Sequence, residues 1–260
     1  MPGALQFDEE RSRAVEAVYA TADVVEQRRR FLRLLDLQPG ERVLDLGCGP
    51  GYLASEMAAA VGATGFVRGV DISPSMLELA SRREQAEEAA PVELTLGDVC
   101  AIDAPDDSFD VAVSTQVYEY VEDIPAALRE VHRLLVPGGR VAILDTEWDS
   151  VVWRSSDDDR MRRVLEAWDE HLVQRDLPRR LPELLTSAGF TGRSNAVVPL
   201  LNIGYDPATF SAGILEVVAE YVAGHRGITD AEAAAWAADL RGLGQRYFFS
   251  LNRYVFVATR

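Results

Sequence analysis

One glycine-rich segment constrains the fold of this chain more than any other part of the sequence. Residues 43–46 (VLDL) form an apolar run typical of a buried strand, and residues 47–51 (GCGPG) follow it directly, before a predicted helix over 51–61. Glycines let backbone N–H groups approach a ligand closely, and the N-terminus of a helix favours a carboxylate or phosphate there. The segment therefore predicts a strand–loop–helix unit that binds a nucleotide-like ligand.

The spacing of the glycines narrows the choice of ligand. The dinucleotide fingerprint Gly-x-Gly-x-x-Gly requires a glycine at position 52, where this chain has Tyr52. A nicotinamide cofactor therefore fits this loop less well. About twenty residues beyond Gly51, Asp71 ends the next predicted strand, where a carboxylate can accept hydrogen bonds from both hydroxyls of a ribose. The alternative is that Asp71 caps the helix that follows it.

An alternation of apolar strands and amphipathic helices surrounds this loop. Strands are predicted over 42–46, 65–71, 92–97, 109–114 and 140–145, with helices over 51–61, 74–89 and 124–135. Such alternation predicts βαβ units and a parallel sheet with both faces covered. Two helices, over 9–20 and 22–35, precede it. Beyond 145 the pattern predicts helices near 157–174, 180–188, 207–223 and 230–242, and strands over 195–202 and 247–259.

Charge and composition exclude several classes of function. The net charge of −16 disfavours a nucleic-acid substrate, because it repels phosphate backbones. All 26 basic residues are arginines, so Schiff-base chemistry and a P-loop lysine are excluded. Two cysteines and three scattered histidines predict neither a disulfide framework nor a metal site. The acidic N-terminus and the lack of a long apolar run predict a cytoplasmic protein with no membrane association.

Five motifs, in order and in spacing, carry a resemblance to a known family. They are DLGCGPG, GVDIS, LGDV, FDVAVS and LLVPGGRVAILD, and they lie within about residues 36–145. Together they resemble the class I S-adenosylmethionine-dependent methyltransferases. Within that superfamily the chain is similar to the branch that includes the ubiquinone/menaquinone-type methyltransferases and many natural-product methyltransferases. Beyond residue 145 the resemblance is loose.

This resemblance implies an α/β fold of the Rossmann-like type, with a seven-stranded mixed sheet in the order 3-2-1-4-5-7-6. The segment 195–202 would be the sixth strand, and 247–259 would be the seventh and antiparallel strand. The implied organisation is an N-terminal helical lid over 1–35, a cofactor-binding core over 36–147 and a C-terminal part over 148–260. The last part would complete the sheet and include a helical substrate cap over about 205–247.

The resemblance also assigns residues to the cofactor, S-adenosylmethionine, whose product is S-adenosylhomocysteine. The residues that would bind it are Tyr19, Arg28, Asp45, Gly47, Gly49, Gly51, Asp71, Ile72, Met76, Asp98, Val99, Thr115 and Gln116. Asp45 and the glycines would cradle the methionine part, and Asp71 the ribose. Ile72, Met76, Asp98 and Val99 would contact the adenine, while Thr115 and Gln116 would lie near the sulfonium. Tyr19 and Arg28 would close over the ligand.

Several of these assignments have a structural alternative. Asp98 could cap a turn, Met76 could belong to the general core, and the basic run that contains Arg28 could be a solvated helix face. Trp148, in the segment after the fifth predicted strand, could anchor a lid. The candidates for catalysis are Tyr118, Asp145 and His171, of which Tyr118 could equally be a wall residue.

The predicted function is transfer of a methyl group to a small-molecule acceptor, with carbon or oxygen favoured as the methylated atom. The segment after the fourth strand, TQVYEY, lacks the Asn/Asp-Pro-Pro-aromatic motif of many amino-group methyltransferases. Alternatives are methylation of tRNA or protein, and a non-catalytic partner subunit that only binds the cofactor. A reaction other than methylation, assisted by the bound cofactor, is also compatible with the sequence. A homodimer is compatible with it too.

The assignment of Asp71 gives a direct test. We expect Asp71→Ala to lower the affinity for S-adenosylmethionine, because the variant loses the acceptor for both ribose hydroxyls. Isothermal titration calorimetry with the purified protein measures this affinity. An unchanged dissociation constant would contradict the cofactor assignment.

Overall fold

Seven strands form one mixed sheet in the computed structural model, which describes residues 9–260 apart from the side chains of 9–12 and 14. Residues 1–8 of the predicted N-terminal lid lie outside the described residues. The strands are β1 (Arg42–Leu46), β2 (Phe66–Asp71), β3 (Val92–Leu96), β4 (Phe109–Thr115), β5 (Leu135–Trp153), β6 (Thr191–Ile203) and β7 (Phe248–Thr259). Their order is β3-β2-β1-β4-β5-β7-β6, so the predicted sheet order is confirmed.

Nine α-helices lie within the described part of the chain. They are α1 (Glu9–Tyr19), α2 (Ala22–Leu35), α3 (Tyr52–Val61), α4 (Pro74–Ser81), α5 (Ile124–Leu134), α6 (Asp158–Trp168), α7 (Leu177–Ser187), α8 (Phe210–Val222) and α9 (Asp230–Gly242). The first five strands pair in parallel, while β7 pairs antiparallel with both β5 and β6. The segments that follow β1, β2, β4 and β5 therefore emerge at the same edge of the sheet.

The core consists of three apolar clusters that cover different parts of the sheet. One lies between the sheet and α2 and α3, and a second lies on the opposite face against α5 and α7. The third joins α6, α8 and α9 to the far ends of β5 and β7 and is rich in aromatic residues. The helices of the predicted cap thus have an apolar core of their own, which fixes them over the extended end of the sheet.

Several element boundaries predicted from the sequence were wrong. The fifth strand was expected over 140–145 with a loop over 146–153, but β5 continues from Leu135 to Trp153. Antiparallel pairing with β7 explains the extension, because the ladder resumes after a bulge and joins Val152 to Ser250 and Trp153 to Phe249. The division expected between residues 147 and 148 therefore lies inside one strand.

The helix predicted over 74–89 ends at Ser81 in the structure. Its sequence continues with good helix formers, but residues 84–88 are all exposed and bury no apolar face. Since most of the stability of a short helix in a protein comes from packing, the segment without a buried face does not extend it. For the helix predicted over 157–174, α6 stops at Trp168 and a short 3₁₀ turn, Asp169–His171, follows.

Buried Arg140 links β5 both to the end of α2 and to Glu41, with which it forms an ion pair. Arg140 on β5 donates two hydrogen bonds to the carboxylate of Glu41, at 2.7 and 2.9 Å, and its Nε donates to the carbonyl of Leu35 at 2.8 Å. Arg140 is buried, and Glu41 is largely shielded. Removing one partner leaves the other charge without compensation, which is far more costly than losing an exposed pair.

We expect Glu41→Gln to lower the free energy of unfolding by about 2–4 kcal/mol, because it leaves Arg140 unpaired near the end of α2. Urea denaturation followed by circular dichroism measures the change. The control is Glu26→Gln, which breaks the exposed contacts of Glu26 with Arg29 and Arg33 and should cost less than about 1 kcal/mol. Equal losses for the two variants would contradict the structural role of the buried pair.

Candidate functional site

The glycine loop after β1 forms the floor of the candidate site. Gly47, Gly49 and Gly51 all have positive φ angles, of 67°, 52° and 78°, which side chains disfavour. A Cβ atom at Gly47 would overlap the side chain of Val117, and one at Gly51 would lie 2.8 Å from Cβ of Ala80. Only glycine fits at both positions. At Gly47 and Gly51 the loop therefore presents backbone atoms rather than side chains.

Asp71 is fixed in position by the backbone around it. Its carboxylate accepts hydrogen bonds from the N–H groups of Gly49 and Ser73, each at 2.8 Å. Ser73, rather than Asp71, is the N-cap of α4, since its hydroxyl accepts from the N–H of Met76. The helix-cap alternative for Asp71 was therefore wrong. These bonds leave part of the acceptor capacity of the carboxylate free for a hydroxyl of a ligand.

Asp45 is a buried carboxyl group beside Asp71. It is 1% exposed, and its Oδ2 has no hydrogen-bond partner among the described residues. Burial, reinforced by the charge of Asp71, raises the pKa of Asp45 to about 7. A buried acceptor without a partner requires an explanation, and a bound ligand with a donor or a positive charge would supply one.

The residues expected to contact adenine lie at the ends of β2 and β3. The side chain of Ile72 is 74% exposed, as an apolar surface for a flat ring would be, whereas Met76 and Val99 are buried. Asp98 is exposed, and its Oδ1 accepts from the N–H of Cys100 at 2.8 Å. Asp98 thus caps a turn, and its other oxygen remains available to a ligand.

The N-terminal helices contribute Tyr19 and Arg28. The ring of Tyr19 lies 4.0 Å from the point where a Cβ atom of Gly49 would stand, so it flanks the glycine loop. Arg28 donates to the carbonyl of Tyr19 at 2.6 Å and to Glu56 at 3.0 Å, and it lies over the ring of Tyr52. Arg28 is therefore held by neighbouring groups and in turn holds the C-terminus of α1 against the loop.

A hydrogen-bonded chain connects the end of β4 to β7. Gln116, which follows Thr115, has a φ of +58°, and its Oε1 accepts from the hydroxyl of Thr146 at 2.5 Å. That hydroxyl oxygen in turn accepts from Nε of Arg253 at 3.2 Å. Arg253 also donates to Oε1 of Gln27 on α2 at 2.5 Å. These bonds link α2 to the segment after β4.

Sequence reasoning missed two charged groups at the centre of this region, Glu119 and Arg253. Glu119 is 2% exposed and Arg253 is 3% exposed. The alternation of β7 held a signal for Arg253, because its register with Phe249, Leu251 and Val255 predicts that the side chain points inward. Glu119 offered no such signal, because its burial depends on contacts with distant parts of the chain.

The three catalytic candidates occupy different environments. Tyr118 is fully buried in the cluster against α5 and α7, which favours the interpretation as a wall residue. Asp145 is also fully buried, and burial together with the charge of Glu119 raises its pKa well above the usual range. The ring of His171 stacks on Trp168 at 3.7 Å, and burial lowers its pKa to about 4.

Aromatic rings surround the ring of His171 and contact it. Trp148 contacts the rings of Trp168 and His171 edge-on, at centroid distances of 5.6 and 5.4 Å, and Tyr221 on α8 contacts both at 5.3 and 5.9 Å. Trp148 is buried in the apolar cluster that α6, α8 and α9 share with β5 and β7. These rings fill the interior and contact one another.

Within the part of the chain whose side chains the structure describes, no group of three or more histidine, cysteine or acidic residues is arranged to hold a metal ion. No helix among the described residues combines the length and the apolar character needed to span a bilayer.

Comparison with known proteins identifies the type of domain. Residues 37–189 match a family described as a methyltransferase domain. An uncharacterized 37.1 kDa protein in transposon TN4556 of Streptomyces fradiae is 36% identical over 189 residues, covering 72% of this chain and 54% of that protein. A 2-phytyl-1,4-naphtoquinone methyltransferase of Nostoc punctiforme is 44% identical over 107 residues, covering 41% and 46%. The chain thus spans about half the length of these curated relatives.

A solved structure shows the same fold. Phosphoethanolamine N-methyltransferase 2 of Haemonchus contortus, in complex with S-adenosyl-L-methionine, superposes with a TM-score of 0.63 at 21% identity. The match covers 98% of this chain and 58% of that one. At this level of identity the likeness concerns the fold alone.

The raised pKa of Asp45 leads to a prediction about stability. The folded state binds a proton at Asp45 more tightly than the unfolded state, so the stability contributed by this group is lost as the pH rises from about 4 to about 7. Asp45→Asn removes this loss. We expect the variant to be more stable than the wild type above pH 7, by up to about 4 kcal/mol.

Urea denaturation at a series of pH values measures this difference, which should shrink as the pH falls towards 4. Asp103→Asn, at an exposed position, is the control and should change stability by less than about 0.5 kcal/mol at every pH. A constant difference between Asp45→Asn and the wild type from pH 4 to pH 8 would contradict the prediction.

Proposed function

The chain belongs to the family of methyltransferase domains, and on that basis we propose that it transfers a methyl group from S-adenosylmethionine to a small organic acceptor. The products are the methylated acceptor and S-adenosylhomocysteine. The observation that carries the proposal is the pair of carboxyl groups at the glycine loop. Asp71 is fixed by two backbone N–H groups, and Asp45 beside it is buried without a partner for Oδ2.

These residues fit the cofactor that we propose. Asp71 would hold the ribose hydroxyls, and Asp45 with Gly47 and Gly49 would receive the methionine part, whose ammonium group complements buried carboxyl groups. The exposed apolar surface of Ile72 would lie against the adenine. The positive φ angles of the glycines leave the floor of the site free of side chains, as close approach of a ligand requires.

When bound, the cofactor supplies a methyl group on a positively charged sulfur atom. The protein must then hold the acceptor about 3–3.5 Å from that carbon, in line with the bond to be broken and away from water. We propose that α1 and α2 act as the lid over the cofactor and that α8 and α9 act as the cap over the acceptor. Arg253, which bonds to Gln27 on α2 and to Thr146 on β5, ties the lid to the core.

We propose an aromatic, quinone-like acceptor that is methylated at carbon or oxygen. The naphthoquinone methyltransferase of Nostoc punctiforme supports this class. The net charge of −16 disfavours an RNA substrate, because it repels the phosphate backbone.

Incubation of the purified protein with methyl-labelled S-adenosylmethionine and a 2-prenyl-1,4-naphthoquinol tests this proposal. We expect labelled product in the organic extract, with a mass increase of one methyl group, and much less of it with Asp71→Ala. A parallel incubation with cell lysate separates small molecules from RNA and protein. Label in RNA or protein would contradict the acceptor class, and cofactor binding without any labelled product would favour a non-catalytic cofactor-binding subunit.

A further inference from the structure

Glu119 is a buried acidic residue in the segment after β4, between the core and the proposed lid and cap. The cofactor site at the glycine loop gives no reason for a buried carboxyl group at this position. It belongs to a 3₁₀ turn, Tyr118–Tyr120, that follows β4 at the edge of the sheet that carries the glycine loop. Its backbone carbonyl accepts hydrogen bonds from the N–H groups of Val173 and Gln174, at 3.0 and 2.9 Å. Two contacts from the segment after α6 thus fix its backbone in place.

The carboxyl group of Glu119 is held by named donors. The indole Nε1 of Trp148 donates to its Oε2 at 3.0 Å, and Tyr120 is a second hydrogen-bonding neighbour. These two bonds use only part of the acceptor capacity of a carboxylate, which has about four lone-pair sites. Glu119 can therefore accept a further hydrogen bond from a ligand without losing the contacts that orient it.

The charges around Glu119 do not balance. Asp145 on β5 and Glu119 are both buried, and Arg253 on β7 is the buried guanidinium that acts on both. Two carboxylates and one guanidinium leave one negative charge in excess, which a low-dielectric interior penalises. Burial raises the pKa of Glu119 above its usual range, while Trp148 and Arg253 oppose the rise. The cluster is thus suited to gain and lose one proton near neutral pH.

The close contact between Val117 and Gly47 places this turn beside the cofactor loop. Val117 lies two residues before Glu119, and its side chain packs so tightly on Gly47 that a Cβ atom there would overlap it. The ring of Tyr19 flanks Gly49 in the same loop. The chain from Arg253 through Thr146 to Gln116 reaches the same segment after β4 from the other side.

We propose that Glu119 is the catalytic base, which takes the proton that the acceptor must lose when it is methylated. This inference rests on the proposed function. The acceptor O–H bond breaks, its proton bonds to the carboxylate of Glu119, and the electron pair stays on the acceptor. The acceptor then forms its bond to the methyl carbon, and the pair of the broken carbon–sulfur bond remains on sulfur. Glu119 afterwards releases the proton to solvent.

The other titratable groups are less suited to this task. His171 has its Nδ1 against the carbonyl of Trp168, and its lowered pKa of about 4 makes it a weak base. Tyr118 is enclosed in the apolar cluster against α5 and α7. Asp145 is fully buried, and neither of its carboxylate oxygens has a hydrogen-bond partner among the described residues to orient it.

Glu119→Gln tests the inference, because the amide keeps an oxygen acceptor for Trp148 but cannot take a proton. With the 2-prenyl-1,4-naphthoquinol as acceptor, we expect kcat to fall by about 100-fold or more, with KM within about threefold of the wild type. Glu122→Gln, on the exposed side of the same segment, is the matched control and should keep the wild-type kcat. Calorimetry with S-adenosylhomocysteine shows whether the variants still fold and bind.

The pH dependence of kcat separates a proton acceptor from a structural group. We expect the wild type to lose activity on the acidic side as the cluster gains its proton, and Glu119→Gln to lack this limb. Four other groups face Glu119: Tyr19 from α1, Tyr120 from the same turn, Asp145 from β5 and Arg253 from β7.

Two outcomes would overturn the inference. The first is a kcat of Glu119→Gln within threefold of the wild type, and the second is an acidic limb that the variant retains. If the wild type itself methylates no naphthoquinol, the proposed function fails, and the inference that rests on it fails with it.

Discussion

A strand can pair in parallel with its neighbour only if the chain first returns across the sheet, and the rest of this structure depends on that constraint. Because each crossover brings the chain back to the starting edge, all parallel strands end at the same edge of the sheet. Segments that are distant in sequence therefore meet there. The glycine loop after β1, Asp71 after β2 and the turn with Glu119 after β4 become neighbours in this way. The site is thus a product of strand order and requires no long-range disulfide or metal to assemble it.

The antiparallel strand β7 adds what the parallel strands cannot. Because β7 runs in the opposite direction, its middle lies beside the carboxyl ends of the parallel strands. Arg253, in the middle of β7, therefore lies next to Thr146 at this edge. The ladder between β5 and β7 continues past that edge and carries Trp148 and Trp153 beneath the cap helices. One sheet therefore supports both the glycine loop and the aromatic cluster, which keeps their relative position fixed.

The sequence predicted the sheet order and the strand–loop–helix unit at Gly47–Gly51, because apolar runs and glycines with special backbone angles are local signals. The predicted ends of α4 and β5 were wrong, because the observed ends depend on packing between distant segments. Residues 84–88 have a helical composition but bury nothing, and residues 146–153 have a loop-like composition but find a partner in β7. Glu119 was missed for the same reason, since nothing in the segment YEY distinguishes a buried glutamate from an exposed one.

The contact between Gly51 and Ala80 limits how this protein can change. A Cβ atom at position 51 would meet both Cβ and Cα of Ala80, the latter a backbone atom at 3.0 Å that cannot rotate away. The start of α3 and the end of α4 therefore touch through two of the smallest residues. A larger residue at either position would overlap the other helix. Any redesign of this protein should therefore leave this pair intact, because a larger residue at either position would force α3 and α4 apart.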